Sequence, residues 1–366
     1  MTGALGYVET QRAVVASADD PLVLRGGREL PYVEVAYETY GELSPERDNA
    51  VFVCHALTGD AHAAGLHLGD KKRGWWDNLI GGSRAVDTDR FFVVSANLLG
   101  GCSGTTGPLS LDPATGRPYG LDFPQLHMSD LVAVHRRLLA HLGINRLHAA
   151  VGGSLGGMQV LQWAMDVPDQ IDRAVLVACS SRLSAENIAF SAVAREAIMS
   201  DPQFHDGRYV DHGVVPAYGL KVARMMAHIT YVSGEMLESR FGRRRRGGEP
   251  SFDVDFEVES YLQHQGTSFV ARFDALSYLY LSRLLDYFDA FADPRAEALR
   301  GCATRFQITS FDSDWRFDTG QNRRIVEELA ARGHDVDFAE VHSPHGHDSF
   351  LLEPPGYHER IREFLR

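Results

Sequence analysis

Uninterrupted apolar runs alternate along this chain with segments whose apolar residues recur every three or four positions. Short unbroken runs are typical of strands buried on both faces, and the longer spacing is typical of amphipathic helices. The runs predict strands at 50–54, 90–96, 173–179, 304–310 and 335–341, with a further strand starting at Leu147. The longer spacing predicts helices at 122–142, 158–165, 320–332 and from Gly356 onward. Strands and helices alternating in this order indicate a parallel, doubly wound sheet.

Two regions depart from this alternation. The first, residues 1–47, is irregular except for 32–40, where apolar and polar residues alternate as in a half-exposed strand at a sheet edge. The second, 180–293, has helical segments and almost no runs typical of buried strands. Because the alternation resumes after it, we expect one α/β core made of 1–179 and 294–366, with 180–293 inserted as a helical lid.

The strand that starts at Leu147 ends in a glycine-dense turn and leads directly into a helix-forming segment. Gly152, Ser154 and Gly156 there form a G-x-S-x-G pattern. A sharp strand-to-helix turn presents a serine hydroxyl to a neighbouring base, and the glycines let other backbone approach closely. The following helix N-terminus also leaves N–H groups free to stabilise an oxyanion. We therefore predict that Ser154 is a nucleophile; the alternative is a glycine-rich turn in which this serine caps the helix.

A serine nucleophile needs a base, and usually a carboxylate that orients the base. The loops after the last two predicted strands contain Asp312, Asp314, His342, His345 and His347. The chain order serine, acid, histidine is that of α/β-hydrolases. We predict a triad of Ser154, Asp314 and His347. His342 closes its strand and is assigned a structural role, whereas His345 stays an alternative base.

The loop at 55–59 follows the buried strand 50–54, at the sheet edge where α/β proteins bind ligands. Leu57 in this loop is a candidate for one oxyanion N–H donor. A plain loop with Thr58 as a capping residue explains the same sequence equally well.

Composition and charge limit the classes of function. The chain has 366 residues, of which 44% are hydrophobic, so it can bury a large core. Its net charge of −13 argues against general binding of nucleic acids or anionic membranes. Four consecutive arginines at 243–246 interrupt this acidic balance. Such a block is most often a solvated loop, although it is also suited to the acidic groups of a charged cofactor.

The cysteines suggest neither a metal site nor a disulfide framework. The four of them are far apart and form no C-x-x-C pair, and no other spacing implies a metal or a bound prosthetic group. No apolar run approaches the length of a membrane span, and no secretory signal pattern opens the chain. We expect a cytoplasmic enzyme without a bound metal.

Several motifs carry a resemblance to a known family. They are HALTG at 55–59, GWWDNLIG at 74–81, NLLGGCSGTTGP at 97–108, GGSLGGMQ at 152–159, GLKVARMMAHITYVS at 219–233 and GHD at 346–348. On these motifs the chain resembles the MetX-type homoserine O-acyltransferases from about Tyr32 to its end. The resemblance implies an α/β-hydrolase fold and a ping-pong transfer of an acyl group from acyl-CoA to the hydroxyl of L-homoserine, in methionine biosynthesis. It also implies a homodimer formed through the lid helices.

The same resemblance implies the catalytic roles. Ser154 is the residue that becomes acylated, His347 is the general base and Asp314 orients that base. The backbone N–H groups of Leu57 and Leu155 hold the oxyanion.

It further implies how the acceptor binds. Arg224 contacts the carboxylate of homoserine and Asp348 contacts its ammonium group, since a zwitterion needs one partner of each sign. Tyr231 lies two helical turns after Arg224, so we expect it on the same helix face.

Arg316 is a departure from the acetyl-transferring members, many of which have an apolar residue at this position. An arginine so close to Asp314 is suited to pair with the free carboxylate of a succinyl group, so we predict succinyl-CoA as the donor. The alternative is an arginine that points to solvent in an enzyme using acetyl-CoA. Serine also stays open as the acceptor, because one methylene changes binding by only about 1–3 kcal/mol. Outside this family, the alternatives are an esterase or thioesterase and a non-catalytic binding protein.

Overall fold

An eight-stranded sheet forms the centre of the computed structural model, which describes residues 5–366. Residues 1–4 of the predicted core segment 1–179 lie outside the described residues. The strands are Gln11–Ala16 (β1), Leu22–Val23 (β2), Glu29–Leu30 (β3), Val33–Tyr40 (β4), Ala50–Cys54 (β5), Ile80–Gly81 (β6), Val86–Asp87 (β7), Phe92–Ala96 (β8), Leu147–Gly153 (β9), Ile171–Val177 (β10), Arg305–Phe311 (β11) and Val336–Val341 (β12).

The strand order in the large sheet is β1-β4-β8-β5-β9-β10-β11-β12. The pairs β1–β4 and β4–β8 are antiparallel, and every later pair is parallel. The strands β2 and β3 form a separate antiparallel pair, and β6 and β7 a separate parallel pair. The mostly parallel, doubly wound sheet predicted from the sequence is confirmed.

Nine α-helices occur among the described residues. They are Met128–His141 (α1), Leu155–Asp166 (α2), Ala185–Met199 (α3), Ala217–Tyr231 (α4), Gly234–Arg240 (α5), Glu257–Val270 (α6), Ala275–Tyr287 (α7), Thr319–Ala330 (α8) and Tyr357–Phe364 (α9). The helices α3 to α7 all lie between β10 and β11, within the stretch 180–293. We call this stretch the helical insertion.

The two ends of the helical insertion meet. Arg182 and Asp289 form an isolated β-bridge, and the N–H of Ala290 donates to the carbonyl of Ser181 at 2.9 Å. The chain therefore leaves the sheet after β10 and returns toward β11 at nearly the same place.

Apolar side chains are buried on both faces of the sheet, which explains the unbroken runs. In β5, Phe52 packs into one hydrophobic cluster with Trp163 of α2, while Val51 and Val53 pack into a second cluster with Tyr357 of α9. Each such side chain contributes about 1.5–3 kcal/mol through removal from water. A polar residue at any of these positions would be unpaired in the core, so the strand carries none.

The prediction of a half-exposed edge strand at 32–40 is wrong. β4 is the second strand of the sheet and is largely buried, because β1 pairs along its outer side. β1 lies in the segment predicted to be irregular. Its sequence QRAVVA alternates weakly and half of its residues are exposed, as is common in an edge strand.

Two predicted helices begin elsewhere. The helix predicted at 122–142 starts only at Met128, because the Asp130 carboxylate accepts the N–H of His127 at 2.7 Å and so caps the helix there. The helix predicted at 158–165 starts earlier, at Leu155. Its first residue is therefore the one directly after Ser154.

Candidate active site

Ser154 lies at the turn between β9 and α2, in a conformation that non-glycine residues rarely adopt. Its φ is 59° and its ψ is −126°. A backbone of this kind costs about 1–3 kcal/mol and persists only where the surroundings hold it. The close approach of two glycines holds it here: a Cβ on Gly152 would collide with the backbone of Gly156, and a Cβ on Gly156 would collide with the carbonyl oxygen of Cys54.

The structure brings the three predicted triad residues together. His347 Nε2 lies 2.9 Å from Ser154 Oγ, and His347 Nδ1 lies 2.7 Å from Asp314 Oδ2. Because the carboxylate can only accept, Nδ1–H donates to Asp314 and Nε2 is left to accept the serine proton. All three side chains are nearly inaccessible to solvent.

The second oxygen of Asp314 is also engaged. Its Oδ1 accepts the backbone N–H groups of Arg316 and Phe317, each at 2.9 Å. These bonds fix the plane of the carboxylate and so the ring of His347. The carboxylate needs no cation to hold it in place.

The other histidines of the two loops lie outside the triad. His342 is exposed, and its Nδ1 lies 2.5 Å from Asp312 Oδ2. His345 is also exposed. His347 is thus the histidine of this loop that reaches Ser154.

The two residues whose backbone N–H groups are predicted to hold an oxyanion are placed as follows. Leu155 is the first residue of α2, where helical N–H groups have no partner within the helix. Leu57 lines the cavity that contains Ser154. Their role stays a prediction.

His55 holds the loop that carries Leu57, a role that was not predicted from the sequence. Its Nε2 accepts the N–H of Leu98 at 3.2 Å, and its Nδ1–H donates to Ala56 O at 2.7 Å. Gln159 of α2 donates to the carbonyl of His55 at 3.0 Å. Burial lowers the pKa of His55, so the ring is neutral and serves as a fixed connector.

A cavity of about 120 Å³ opens on Ser154. All predicted site residues except Leu155 and Asp314 line this cavity. They are Leu57, Ser154, Arg224, Tyr231, Arg316, His347 and Asp348. Tyr231 and Arg224 both come from α4, as expected from their spacing. The helical insertion therefore supplies one side of the cavity and the sheet loops supply the other.

Arg224 is held mainly by aromatic faces. Its guanidinium lies 4.7 Å from the ring centre of Phe269 and 5.4 Å from that of Tyr231. Its one side-chain hydrogen bond among the described residues runs to Thr58 Oγ1 at 3.3 Å, and its buried Nε has no partner there. Most of its donors are therefore free for an anion.

Asp348 is a half-buried carboxylate that receives no hydrogen bond or ion pair from the described residues. Burial raises the pKa of its carboxyl group, and the charges of His347 and Arg224 act in the opposite direction. A cation in the cavity would remove much of this penalty.

Arg316 is buried and lines the cavity, so the alternative of an arginine pointing to solvent is wrong. Its Nη1 donates to Thr230 Oγ1 at 2.8 Å, and its guanidinium lies 5.4 Å from the ring centre of Tyr231. Both contacts are to α4. The backbone of Arg316 is tied to the helical insertion as well, since Asn187 donates to its carbonyl at 2.8 Å.

His228 lies one turn after Arg224 on α4 and is neutral. Burial, together with the charges of Arg224 and Arg272, lowers the pKa of His228 to about 3. Its Nδ1 pairs with the hydroxyl of Tyr261 at 3.2 Å. The positive charge at this wall of the cavity therefore comes from the arginines.

The long aromatic segment after β5 supports the loop of His347. Trp76 donates its indole N–H to Phe350 O at 2.8 Å, and Asn78 donates to Leu351 O at 3.0 Å. In the sequence, the GWWDNLIG motif contributed only to the family resemblance. The paired tryptophans within a polar, glycine-rich stretch were the available signal.

The four arginines at 243–246 are exposed and do not line the cavity. Arg244 pairs with Glu257 at 2.8 Å, and Arg246 donates to Ser260. These local contacts are those of a solvated loop.

Comparison with known proteins places the chain in a family. The model of the α/β-hydrolase fold matches residues 49–354. A homoserine O-succinyltransferase of a Nocardioides species is 75% identical over 368 residues, covering 100% of both chains. This chain belongs to the homoserine O-acyltransferase family of α/β-hydrolases.

Solved structures of this fold superpose over almost the whole chain. A homoserine O-acetyltransferase from Bacillus anthracis has a TM-score of 0.90 at 28% identity and covers 99% of this chain and 98% of its own. An esterase structure has a TM-score of 0.89 at 26% identity and covers 98% of this chain and 100% of its own. A homoserine O-acetyltransferase and an esterase thus share the architecture of this chain, so the fold alone does not identify the reaction.

Among residues 5–366, no helix combines the length and the hydrophobicity that crossing a membrane requires.

Proposed function

We propose that this chain is a homoserine O-succinyltransferase, which moves the succinyl group of succinyl-CoA to the side-chain hydroxyl of L-homoserine in methionine biosynthesis. One observation carries the proposal. The hydrogen-bonded series Ser154–His347–Asp314 opens on a cavity that is also lined by Arg224, Asp348 and Arg316. The relative at 75% identity, which has this name, supports the same reaction.

In the first step His347 Nε2 accepts the proton of Ser154 as its oxygen attacks the thioester carbonyl. The N–H groups of Leu57 and Leu155 donate to the oxyanion, and Asp314 stabilises the imidazolium that forms. The C–S bond then breaks, and His347 returns its proton to the sulfur of CoA. The product is a succinyl ester on Ser154.

In the second step His347 takes the proton of the homoserine hydroxyl, whose oxygen attacks the ester carbonyl on Ser154. Collapse of the intermediate breaks the bond to Ser154, which regains a proton from His347. Water competes with homoserine at this point. A narrow cavity roofed by the helical insertion favours the bound alcohol, because positioning lowers its barrier and water has little room.

The acceptor is recognised through its two charges. Arg224 has free guanidinium donors for the carboxylate of homoserine, and Asp348 is a half-buried carboxylate without a cationic partner in hydrogen-bond contact. Binding a zwitterion satisfies both groups together. An uncharged alcohol would leave both unpaired, which favours an amino acid as the acceptor.

The donor is recognised through Arg316. Its guanidinium is buried in the cavity wall, where a succinyl carboxylate would form a charge-assisted pair and an acetyl group would leave the charge unmatched. Acetyl-CoA is the alternative donor, as in the related enzymes that are named homoserine O-acetyltransferases.

A donor-by-acceptor matrix tests the proposal. Acetyl-CoA and succinyl-CoA are each combined with homoserine and with serine, and free CoA and the O-acyl product are both measured. We expect the highest kcat/KM for succinyl-CoA with homoserine. A faster reaction with acetyl-CoA would contradict the donor assignment, and a faster reaction with serine would contradict the acceptor assignment.

Hydrolysis is the second candidate, because the similar solved esterase has the same architecture. Incubation with succinyl-CoA alone separates the two. A transferase releases one burst of CoA per chain and then slows until homoserine is added, whereas a thioesterase continues to release CoA. Initial rates with both substrates varied should give parallel double-reciprocal lines.

The proposed enzyme acts in the cytoplasm as a homodimer, with acyl-CoA as a co-substrate and without a prosthetic group. Exposed apolar side chains on the helical insertion support a dimer interface there, notably Ile188 and Val193 on α3 and Tyr218 and Ile229 on α4. Light scattering on wild type and Ile229→Asp tests this assembly. A wild-type mass of one chain would contradict it.

A further inference from the structure

A cluster of two histidines and a glutamate lies apart from the cavity around Ser154. Glu38 comes from β4, and His62 and His67 come from the loop that follows Leu57. Glu38 Oε2 lies 3.0 Å from His62 Nδ1, and Glu38 Oε1 lies 2.7 Å from His67 Nε2. One ligand atom from each residue lies within 4.8 Å of the others. None of the three lines the cavity.

The carboxylate of Glu38 is fixed by groups other than the histidines. Thr10 Oγ1 donates to Oε1 at 2.9 Å, and the hydroxyl of Tyr40 donates to Oε2 at 2.9 Å. Tyr40 in turn accepts the N–H of Ala63 at 2.9 Å. The completely buried carboxylate is therefore held in one orientation, which is what a metal ligand requires.

The two imidazole rings face each other. Their centres lie 3.8 Å apart with an angle of 28° between the planes. This arrangement brings Nδ1 of His62 and Nε2 of His67 to the two oxygens of one carboxylate. The buried Nε2 of His62 has no partner among the described residues, so that histidine is only partly satisfied by hydrogen bonding.

We propose that Glu38, His62 and His67 form a zinc site. Two imidazole nitrogens and one carboxylate oxygen are a common ligand set for Zn²⁺, which takes water as a fourth ligand. Ligands of a tetrahedral ion with bonds of about 2.0–2.2 Å lie about 3.3–3.5 Å apart. The present contacts of 2.7 and 3.0 Å are shorter than that spacing, so both histidines would move away from Glu38 by less than about 1 Å when the ion binds.

The surroundings of His67 fit this role. Asp70 Oδ2 lies 3.8 Å from His67 Nδ1, the nitrogen that faces away from Glu38. A carboxylate behind a ligating histidine orients its ring and raises its basicity. The His67 side chain is 31% exposed and that of Asp70 60%, which gives an ion a route from solvent.

Such an ion would be structural. It would connect β4 to the loop between Leu57 and Trp75, and thereby stabilise the segment that begins with the oxyanion loop. Acid should weaken binding, because a protonated imidazole cannot act as a ligand.

The test uses the full-length chain freed of metal with a chelator, then titrated with zinc chloride. We expect one zinc ion per chain after gel filtration, and a rise in Tm of about 3 °C at about 100 times Kd. Both should be lost in His67→Gln and His62→Gln. The matched control is His205→Gln, because His205 also stacks on a histidine, His212 at 4.0 Å, in an exposed loop. The control should keep the rise.

Cobalt chloride gives a readout that does not depend on the folding of the variants. Co²⁺ in a site with three protein ligands should show the visible absorption of a tetrahedral complex, and zinc chloride should displace it. The proposal is overturned if wild type retains no zinc, if it shows no such absorption, or if His67→Gln binds zinc as wild type does.

Discussion

Two groups of residues in the active site differ in how far their polar atoms are already paired. In the triad both carboxylate oxygens of Asp314 and both ring nitrogens of His347 have partners within 2.9 Å. In the proposed acceptor pair Arg224 has a buried, unpartnered Nε, and Asp348 has no hydrogen-bond partner among the described residues.

This difference separates the chemistry from the choice of substrate. A fully paired triad is rigid before any substrate arrives and serves any acyl transfer or hydrolysis. The unpaired charges become satisfied only when a substrate of matching charge binds. Similar folds can therefore carry out different reactions through changes in the substrate-binding residues alone.

The largest effect is expected from a change in the triad. His347→Gln should lower kcat by about 10³-fold or more, because the base is lost while the rest of the cavity remains. His345→Gln, in the same loop but exposed, should stay within about twofold of wild type. Steady-state kinetics with succinyl-CoA and homoserine measures both. Equal losses in the two variants would contradict the triad assignment.

The next largest effect is expected from changes in the proposed homoserine-binding residues. Asp348→Asn or Arg224→Gln should lower kcat/KM for homoserine by about 10²-fold, as expected when one of two buried charge contacts is lost. The burst of CoA with succinyl-CoA alone should persist, because the first step does not use the acceptor. Rapid-quench kinetics measures the burst. Its disappearance would show that these residues also serve the first step.

A smaller effect is expected on the donor. Arg316→Leu should lower kcat/KM for succinyl-CoA by about 10-fold to 100-fold while changing that for acetyl-CoA little, because only succinyl carries the second carboxylate. Competition between the two donors gives the ratio directly. An unchanged ratio would remove Arg316 from donor recognition.

A smaller effect is expected from removing the hydrogen bond by which Trp76 supports the loop of His347. Trp76→Phe keeps the aromatic packing and removes the hydrogen bond to Phe350 O, so we expect about 1 kcal/mol lower stability and a few-fold lower kcat. Chemical denaturation and kinetics measure the two effects. Trp75→Phe, which removes the bond to Asp60 O at 3.0 Å, is the matched control and should leave kcat near the wild-type value.

The smallest effect concerns the pKa of Asp348, which burial raises. A carboxyl with a raised pKa in the folded state binds protons more tightly than in the unfolded state, so its contribution to stability falls as pH rises through the unfolded and then the folded pKa. Asp348→Asn should therefore stabilise the free enzyme by about 1 kcal/mol at neutral pH, and this gain should shrink in acid. Urea unfolding at several pH values measures it. Destabilisation at neutral pH would contradict the inference that burial disfavours the ionised carboxylate of Asp348.

The sequence predicted the triad because three independent features coincided: residue type, chain order and position after buried strands. Ser154, Asp314 and His347 each follow a run that was recognisable without structure. The edge strand β1 was missed because much of it is exposed to solvent, so its sequence contains no unbroken run of apolar residues.

Features that depend on three-dimensional packing could not be predicted in the same way. Glu38 and His62 are 24 residues apart and meet only because the loop after β5 folds back over β4. Trp76 and Phe350 are separated by 274 residues. The spacing of hydrophobic residues along the sequence does not predict contacts between residues so far apart.

The junction of the helical insertion has a consequence for protein engineering. A backbone hydrogen bond joins Ser181 and Ala290, so the two ends of the helical insertion lie next to each other at the edge of the core. Homologous segments with the same end geometry can therefore be exchanged with little strain on the host strands. A chimaera carrying the corresponding segment of a relative would keep Asp348 and Arg316 while replacing Arg224, and so would report how selectivity is divided between the two parts of the chain.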